Sequence, residues 1–493
     1  MPSPSPSPSL LLLTTLVPLL GAIVIVFVPA RHARIVPRVA LFHASLAALF
    51  SWGLLPRFDR TTSALQFITP FPWSPDPHAS AALGVDGLSY PMVLLTTLVV
   101  LVALLASLHV THRVKSYFAW FLFLEFAVLG VFTSLSWSLF YVFWELTLVP
   151  LFFLVSIWGG KNRSSASMSF FLYTLAGSVF MLVAILALHL ALPEHSFGME
   201  EMARTSAGIG QPTQILLFLG FFAGIAVKIP VFPLHGWQPL AYVESKTPVS
   251  MVFSAVLAKM GAYGLLRLFV LLPVGASSMV PLLLLLGFVN IIYGALLAFR
   301  QTDLKLMVAY ASMSHMGFVL IGVSSLNMAG ISGATLQMFT HGLTSSALFL
   351  LVGALQDRTS TRDVRDFGGL ASTMPRFSVF MSLALLGSMG LPGLAGFTSE
   401  LHTLIGTFER YGYWSGIATI GILITAGYSL RAMSRLFFGP SNPRWQKLDD
   451  LKPHEIFAAL PLALLIILVG VMPRTAIDLV AATVSHMATL FPG

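Results

Sequence analysis

The chain has 493 residues, of which 56% are hydrophobic and only 9% are charged, and its mean hydropathy is +0.86. Soluble domains carry about 25% charged residues, so this composition excludes a soluble domain and predicts a membrane protein with many spans. The formal net charge of +8 is then loop charge that sets topology, not a nucleic-acid surface. The sequence contains no cysteine, which excludes disulfides and clusters held by thiolates.

A transmembrane helix needs about 20 predominantly apolar residues, and the sequence contains about fourteen such stretches. We therefore predict an all-α polytopic membrane protein. The predicted spans are 9–29, 36–55, 88–108, 116–134, 137–158, 166–191, 213–234, 249–271, 277–298, 304–324, 331–354, 377–407, 412–437 and 455–473.

Two of these spans are interrupted in their apolar interior. The seventh contains Pro230 and Pro233, and the twelfth contains the segment LPGLAGF at 391–397. A break of this kind is tolerated in a membrane only where protein or a water-filled cavity surrounds the freed backbone groups. Because the breaks are five spans apart and five is odd, they predict two five-helix repeats inserted in opposite directions. The predicted domains are 1–115 (helices 1–3), 116–272 (first repeat), 273–440 (second, inverted repeat) and 441–493 (loop and last helix).

The loop charges give an independent test of the number of spans. Loops after odd-numbered spans are basic, and loops after even-numbered spans are neutral or acidic. The basic set is Arg31, Arg34 and Arg38, Arg113 and Lys115, Lys161 and Arg163, and Arg444, Lys447 and Lys452; the acidic set is Asp76, Asp86, Glu194, Glu200 and Glu201. Positively charged loops stay in the cytoplasm, so we predict cytoplasmic odd-numbered loops and both termini on the outer side of a bacterial inner membrane.

Seven ionisable residues lie far from any predicted helix end or beside a break, each in a different span. They are Glu125, Glu145, Lys228, Lys259, His315, His341 and Glu400. A charged side chain at the centre of a bilayer costs roughly 3 kcal/mol or more, so such residues usually mark an ion or proton pathway.

Each of these residues also has a simpler interpretation. A lysine can extend its ammonium to the interface, but Lys259 is about ten residues, or roughly 15 Å, from either end of its helix. A buried histidine can be a hydrogen-bonded packing residue, and Glu125 can form a purely structural pair. Arg300, Asp303 and Lys305 lie at a loop and a helix start, where a solvated end is the simpler account. Metal ligation by His315 and His341 lacks an evident third ligand.

In chain order the set reads acid, acid, lysine, lysine, histidine, histidine, acid. Burial lowers the proton affinity of a lysine, and a nearby carboxylate raises it again. A Glu145–Lys228 pair could therefore switch Lys228 between holding and releasing its proton. While the two are paired, Lys228 keeps its proton; when Glu145 moves away, the proton can pass on towards Lys259. Histidine titrates near neutral pH and suits the positions between the lysines and the last acid.

At these residues the sequence resembles the antiporter-like membrane subunits of respiratory complex I, the proton-pumping NADH:quinone oxidoreductase. The resemblance covers residues 83 to 440. It is carried by the segments LGVDGLSYPMVLLT at 83–96, FWELTLVPLFFLVSIWGG at 143–160, FLYTLAGS at 171–178, AVKIPVFPLHGW at 226–237, KMGAYGLLR at 259–267, DLKLMVAYASMSHMGFV at 303–319 and LPGLAGFTSE at 391–400. Fourteen spans without a long C-terminal amphipathic extension favour the subunit M type over the larger subunit L.

The resemblance implies a role for each of the seven residues. Glu145 and Lys228 match the essential glutamate–lysine pair of the family, and Lys259 matches its central lysine. His315 and His341 match the connecting relay, Glu400 the terminal acid near the outer exit, and Glu125 a secondary glutamate. The resemblance also implies that NADH, FMN, iron–sulfur clusters and quinone bind to partner subunits and that this chain holds no cofactor. Its expected partners are the antiporter-like subunits L and N, small membrane subunits, the lipid bilayer and protons.

The sequence departs from the family pattern after the seventh span. The family reads close to LPDAHVEAPT there, whereas this chain reads QPLAYVESKTP at 238–248. Leu240 and Tyr242 replace the usual aspartate and histidine, and Lys246 adds a charge. Since the resemblance places this segment over the cytoplasmic half-channel, the departure puts the proton uptake path in question.

Three other functions remain open from the sequence. A subunit of a multi-subunit Na+/H+ antiporter or of a membrane-bound hydrogenase would carry the same residues, and neighbouring genes would distinguish it. A stand-alone solute transporter would need a substrate-sized cavity. A scaffold subunit without transport would not need the intact set of Glu145, Lys228, Lys259 and Glu400.

Overall fold

The computed structural model describes residues 8–71, 81–440 and 442–491. Outside the described residues lie Asp76, residues 1–7 of the first predicted domain and residues 492–493 of the last one. The described part is helical apart from one antiparallel hairpin, β1 (Gln66–Phe71) and β2 (Ala81–Val85). The first helices are α1 (Pro8–Phe27), α2 (Val36–Gly53), α3 (Tyr90–Ala106), α4 (Val114–Thr133), α5 (Trp137–Leu146), α6 (Leu148–Trp158), α7 (Arg163–Ala191), α8 (Met199–Ser206), α9 (Gln211–Lys228), α10 (Trp237–Glu244) and α11 (Thr247–Val252).

A short π-helical segment at Phe253–Leu257 joins α11 to α12. The remaining helices are α12 (Ala258–Leu271), α13 (Pro273–Arg300), α14 (Leu304–Ser324), α15 (Met328–Thr359), α16 (Leu370–Thr373), α17 (Pro375–Ser388), α18 (Ala395–Tyr411), α19 (Gly416–Phe437), α20 (Pro453–Val471) and α21 (Arg474–Ala488).

The predicted all-α membrane fold is confirmed, with an approximate number of spans. By length and hydropathy, 12 helical stretches of the described residues can cross a membrane. The predicted third span is the shorter apolar helix α3, and the stretch Ala395–Phe437 contains both α18 and α19. Each of the fourteen predicted spans therefore contains a helix or a pair of consecutive helices.

Both predicted helix breaks are present. The seventh span ends at Lys228 and resumes as α10 at Trp237, and the twelfth ends at Ser388 and resumes as α18 at Ala395. The fifth span is also interrupted, between α5 and α6 at Thr147. Pro150 has no N–H to donate to the carbonyl four residues earlier, which accounts for this interruption. The relation between the two predicted repeats, and their boundaries, remain predictions.

Contacts between loops confirm that consecutive spans alternate in direction. Residues from loops after odd-numbered spans line one shared cavity; examples are Lys161, Ser245 and Asp303. The loops after even-numbered spans contact one another elsewhere, because Ser136 bridges Gly198 and the Ser206 hydroxyl donates to the carbonyl of Leu271 at 2.5 Å. We call these the odd-loop face and the even-loop face.

The centre of the bundle is formed by α11–α12, α14 and α15, which are almost entirely buried. The outer helices, such as α7 and α13, expose leucine and phenylalanine side chains, as lipid contact requires. Lys259, His315 and His341 belong to the three central elements, so the fold buries all three inside the bundle.

Three features were not predicted from the sequence. The β-hairpin docks on the loop after α4 through a bridge between Leu83 and Ser134. In the C-terminal helix α21, the Thr483 hydroxyl accepts a hydrogen bond from the Gly87 N–H at 3.0 Å. The third is the π-helical segment beside Lys259. None has a distinctive local pattern, because each depends on contacts between residues distant in the sequence.

A buried ion pair ties the even-loop face together. Arg267 Nη1 donates to Asp86 Oδ2 at 2.7 Å, and their side chains are 12% and 4% exposed. Asp86 Oδ1 accepts from the N–H groups of Leu88 and Ser89 at 3.0 Å. The pair thus joins the start of α3 to the end of α12, the helix that carries Lys259.

We expect Asp86→Asn to destabilise the protein by roughly 3 kcal/mol, because it leaves the Arg267 charge buried without a counterion. Thermal unfolding of the detergent-solubilised protein, followed by loss of the monodisperse peak, measures the effect. Glu194→Gln is the matched control, since its pair with Arg204 at 3.4 Å is 49% and 72% exposed and such pairs contribute little. Equal melting temperatures for the two variants would contradict the prediction.

Candidate proton-relay site

Lys228 is the last residue of α9 and is fully buried. Its ammonium donates to the Thr147 hydroxyl at 3.3 Å and lies 5.1 Å from the centre of the Trp144 ring. A cation over an indole face gains about 2 kcal/mol when it is shielded from water. The negative end of the helix dipole adds to this at the C-terminus of α9. These contacts hold a charged lysine without an ion pair.

The broken backbone after Lys228 has its hydrogen bonds restored by two side chains. Trp237 donates from its indole N–H to the Val227 carbonyl at 3.0 Å. Asn290 accepts from the Phe232 N–H at 2.8 Å and donates to the Pro230 carbonyl at 3.3 Å. In a membrane, freed backbone groups must find partners within the protein. Trp237 and Asn290 therefore keep the break, and with it the position of Lys228, in place.

Glu145 lies near Lys228 but is not in direct contact with it. The two charges are close enough for an electrostatic interaction, yet among the described residues no ion pair within 4.0 Å joins them. Glu145 is half-buried, and one of its oxygens, Oε1, has no hydrogen-bond partner in the described part. Tyr141 and Ser178 are its polar neighbours. This open arrangement is compatible with a pair that forms and separates.

Lys259 owes its environment to the π-helical segment. Its ammonium donates to the Ser254 carbonyl at 2.6 Å, and Tyr242 donates to the Phe253 carbonyl at 3.0 Å. A π-helical turn shifts hydrogen bonding from i−4 to i−5 and frees carbonyl groups, and such turns often occur at functional sites. Two carbonyls of this turn thus become acceptors for side chains, one of them for a fully buried lysine.

From Lys259 a direct chain of contacts crosses the bundle. The Lys259 ammonium is 2.5 Å from His341 Nδ1, and the rings of His341 and His315 lie 4.9 Å apart. His315 Nδ1 is 3.2 Å from Glu400 Oε1. All four residues are at most 4% exposed. The structure thus brings together four residues from four different helices, and His341, not His315, is the histidine that contacts Lys259.

Neutral polar groups hold the His315 ring from the side. His315 Nε2 contacts the Ser388 hydroxyl at 3.1 Å, and His315 Nδ1 is 3.4 Å from Gln337 Nε2. The Gln337 oxygen in turn accepts from Ser399, whose hydroxyl lies 2.8 Å from that of Thr340. Both ring nitrogens of His315 therefore have partners, which orients the ring between His341 and Glu400.

Glu125 does not join this chain. It is fully buried in α4, and neither of its carboxyl oxygens has a hydrogen-bond partner among the described residues. The structural pair that the simpler interpretation requires is thus not seen. The secondary role of Glu125 remains a prediction.

The simpler interpretation of Lys305 as a solvated helix end is wrong. Arg300 is exposed, as expected for a helix end, but Lys305 is only 2% exposed and donates to the Ser245 carbonyl at 2.5 Å. The Asp303 carboxylate, two residues away, caps α14 instead. The prediction of a solvated side chain was based on the position of Lys305 near the start of α14. It failed because α10 and the residues that follow it fold over this end of α14.

Sequence reasoning missed several polar partners of the relay. Thr147, Ser254, Ser388 and Ser399 gave no signal, since serine and threonine are common in membrane helices. Gln337 could have been found from the sequence, because it precedes His341 by four residues and therefore lies on the same face of the helix. In the described part of the chain, no group of three or more His, Cys, Asp or Glu side chains is arranged to hold a metal ion.

The family model for "NADH:quinone oxidoreductase/Mrp antiporter, TM" matches residues 134–425, more than half of the chain. NADH-quinone oxidoreductase subunit M of Rhodobacter capsulatus is 38% identical over 97% of this chain and 96% of its own length. NADH-ubiquinone oxidoreductase chain 4 of Arabidopsis thaliana is 38% identical over 96% of this chain and 95% of its own length.

Solved structures are similar along the whole chain. A chain of respiratory complex I from Thermus thermophilus with bound NADH superposes with a TM-score of 0.89 at 29% identity, and the match covers 98% of this chain and 100% of that one. A chain of the Mrp complex from Dietzia sp. superposes with a TM-score of 0.87 at 19% identity, covering 98% and 97%; at this identity it is a likeness of fold alone.

The break before Glu400 yields a test of how that acid is held. Gly390 has φ +75°, and a Cβ there would lie 2.7 Å from Glu400 Oε2; Gly393 has φ +90° and open space around its Cβ position. An L-residue in left-handed backbone costs about 1–2 kcal/mol, so both alanine variants share this strain. We expect Gly390→Ala alone to displace Glu400 and to slow proton transport in sealed vesicles. Equal transport by Gly390→Ala and Gly393→Ala would show that the contact does not matter.

Proposed function

The chain belongs to the NADH:quinone oxidoreductase/Mrp antiporter membrane family, and from this premise we propose that it is the proton-translocating membrane subunit of a complex I-type NADH:quinone oxidoreductase. The redox reaction takes place on partner subunits, and this chain converts its drive into proton movement. The observation that carries the proposal is the continuous contact chain from Lys259 through His341 and His315 to Glu400.

The geometry gives each part of the relay a task. The nitrogen–nitrogen contact of Lys259 with His341 lets the ammonium pass a proton to the imidazole. The two adjacent rings then carry it to His315, whose Nδ1 faces the Glu400 carboxylate. Glu400 accepts the proton beside the helix break of the twelfth span, from which it leaves towards the outer side.

Lys228 and Glu145 form a separate switch. No direct hydrogen bond of the described residues joins Lys228 to Lys259, although the α12 backbone at Gly261 packs against the Lys228 side chain. Approach of Glu145 favours the charged form of Lys228, and its withdrawal favours release of the proton. A change at the redox site therefore needs only to move Glu145 by a few ångströms to load or discharge the lysine.

Membership of this family also indicates which membrane and which partner subunits to expect around the chain. Because basic loops stay in the cytoplasm, we infer that the odd-loop face is cytoplasmic in a bacterial inner membrane and that both termini are outside. The neighbours are further membrane-arm subunits, with L and N as the antiporter-like ones. Glu145 is half-buried in the isolated chain, and since partial exposure of a carboxyl group to lipid is costly, we infer that a neighbouring subunit covers it. NADH, FMN, iron–sulfur clusters and quinone remain on the partners.

Two alternatives receive less support. A subunit of an Mrp-type antiporter shares the fold, and the genes beside this one would distinguish it. A solute transporter needs a substrate cavity near the centre of the membrane. A cavity of about 580 Å³ does exist, but it lies among the loops of the odd-loop face, and neither Lys228 nor Glu400 lines it.

The central prediction is that Lys228→Met and Glu145→Gln each leave the complex assembled but reduce proton pumping to below about a tenth of the parent value. Methionine fills the space of the lysine without its proton, and glutamine keeps the size of the glutamate without its charge. Pumping is measured by quenching of a pH-sensitive dye in sealed vesicles during NADH oxidation. Lys447→Met, in an exposed loop, is the control and should pump normally; near-normal pumping by both test variants would falsify the assignment.

A second prediction concerns release of the proton. We expect Glu400→Gln to slow both pumping and quinone reduction about tenfold or more, because a glutamine cannot take the proton that His315 presents. The exposed Glu409, nine residues further along α18, provides the matched control as Glu409→Gln. If the proton gradient and the quinone reductase rate of the two variants are equal, Glu400 is not the terminal acid.

A further inference from the structure

The cavity on the odd-loop face has an exposed rim and a buried floor. Lys161, Lys246 and His454 stand exposed at its rim, whereas Lys305 and Ser245 line it and are 2% and 3% exposed. Its volume of about 580 Å³ is enough for many water molecules, each of which occupies about 30 Å³ in the liquid. The cavity thus leads from the loops to one buried lysine.

Lys305 has no counterion in direct contact. Its ammonium donates to the Ser245 carbonyl, and none of the ion pairs within the described residues includes it. Asp303 instead pairs with Arg362 at 2.8 Å, and Glu244 accepts from the Asn162 N–H at 2.9 Å. An ammonium has three donors, and an unpaired buried charge is costly. Lys305 therefore relies on the cavity to solvate its charge, and it can exchange protons with water there.

The helix that carries Lys305 presents a polar face towards the relay. Residues 305, 309, 312 and 315 of α14 follow one another by four, three and three positions, which places them on one face. The Ala309 carbonyl accepts from Gln238 Nε2 at 3.0 Å, and the Ser312 hydroxyl accepts from that of Ser254 at 3.1 Å. Ser254 is also the residue whose carbonyl holds the Lys259 ammonium. About 10 Å along the helix axis separates Lys305 from Ser312.

Two residues of the divergent segment line this route. Tyr242 is fully buried, and its hydroxyl lies beside Gln238 and Ser312. Gln238 is also fully buried, and its Oε1 atom has no hydrogen-bond partner in the described part of the chain. Buried polar oxygens of this kind are normally satisfied by an ordered water molecule. The interior between Lys305 and Lys259 thus offers polar contacts for water.

We propose that Lys305 is a further proton-carrying residue, which takes protons from the cavity on the odd-loop face and passes them along α14 to Lys259. The inference rests on the proposed function. In each cycle the Lys305 ammonium gives one proton to water beside Gln238 and Ser312, and the resulting amine takes one proton from water in the cavity. The charge of Lys305 is thereby restored. The proton that it released moves inward to Lys259, which accepts it when its own side chain is a neutral amine.

A purely structural lysine would fix the link between α10 and α11 through the Ser245 carbonyl. Both roles predict a defect when the side chain is removed, so the test must keep the charge and remove only proton exchange. Lys305→Arg does this, because a guanidinium donates hydrogen bonds but is not deprotonated in proteins. We expect the complex with Lys305→Arg to assemble and to pump at least about tenfold more slowly. Normal pumping by this variant would assign Lys305 a structural role only.

A second experiment restores the amine. The chain has no cysteine of its own, so Lys305→Cys introduces a single thiol at the cavity floor. Aminoethyl methanethiosulfonate forms a disulfide with this thiolate, releases methanesulfinate and rebuilds a side chain that ends in an ammonium. We expect low pumping before treatment and several-fold recovery after it, whereas neutral methyl methanethiosulfonate gives none. The parent complex, treated in parallel, accounts for cysteines of other subunits.

Lys447→Cys, in an exposed loop outside the cavity, is the matched control and should pump normally with and without reagent. Equal recovery with the charged and the neutral reagent, or normal pumping by untreated Lys305→Cys, would overturn the proposal. The Lys228→Met variant distinguishes a failure of the proposal for Lys305 from a failure of the proposed function. If Lys228→Met is inactive while both Lys305 variants pump normally, only the role of Lys305 is lost. If Lys228→Met also pumps normally, the proposed function itself is wrong.

Discussion

The cost of keeping lysine ammonium groups away from bulk water is the constraint on which the rest of this structure depends. Lys228, Lys259 and Lys305 are all buried, and none has an ion pair within 4.0 Å among the described residues. Each instead lies beside an interruption of regular helix. Lys228 ends α9, Lys259 bonds to a carbonyl of the π-helical segment, and Lys305 bonds to the residue that follows α10. For Lys259 and Lys305, the irregular backbone supplies carbonyl acceptors that a continuous helix would use internally.

Such interruptions are stable in a membrane only when other side chains complete the hydrogen bonding. Trp237 and Asn290 do so at the break of the seventh span. At the break of the twelfth span, Gly390 and Gly393 adopt left-handed backbone, and Gly390 leaves room for the Glu400 carboxylate. The residues that build the breaks are therefore also the residues that position the charges. This is why the same short segments carry both the prolines or glycines and the ionisable groups.

The charged groups fall into a connected part and a separate part. Lys259, His341, His315 and Glu400 form one chain of contacts, whereas Lys228 lies in its own pocket with Thr147 and Trp144. A fully connected set would let protons equilibrate freely from end to end. The gap between the two lysines gives control to whatever moves Glu145, as the proposed switch requires.

The sequence by itself determined the membrane class, the alternation of the loops and both major helix breaks, and it singled out the ionisable residues of the candidate relay. These follow from hydropathy, proline and glycine chemistry and the rarity of charge in membrane helices, all of which are local properties. Only the tertiary structure decided which groups touch. It placed His341 against Lys259, left Glu125 without a partner, and buried Lys305 beneath α10 although its position in the sequence indicated a solvated helix end. Burial and contact depend on helices distant in the chain, so no local pattern could determine them.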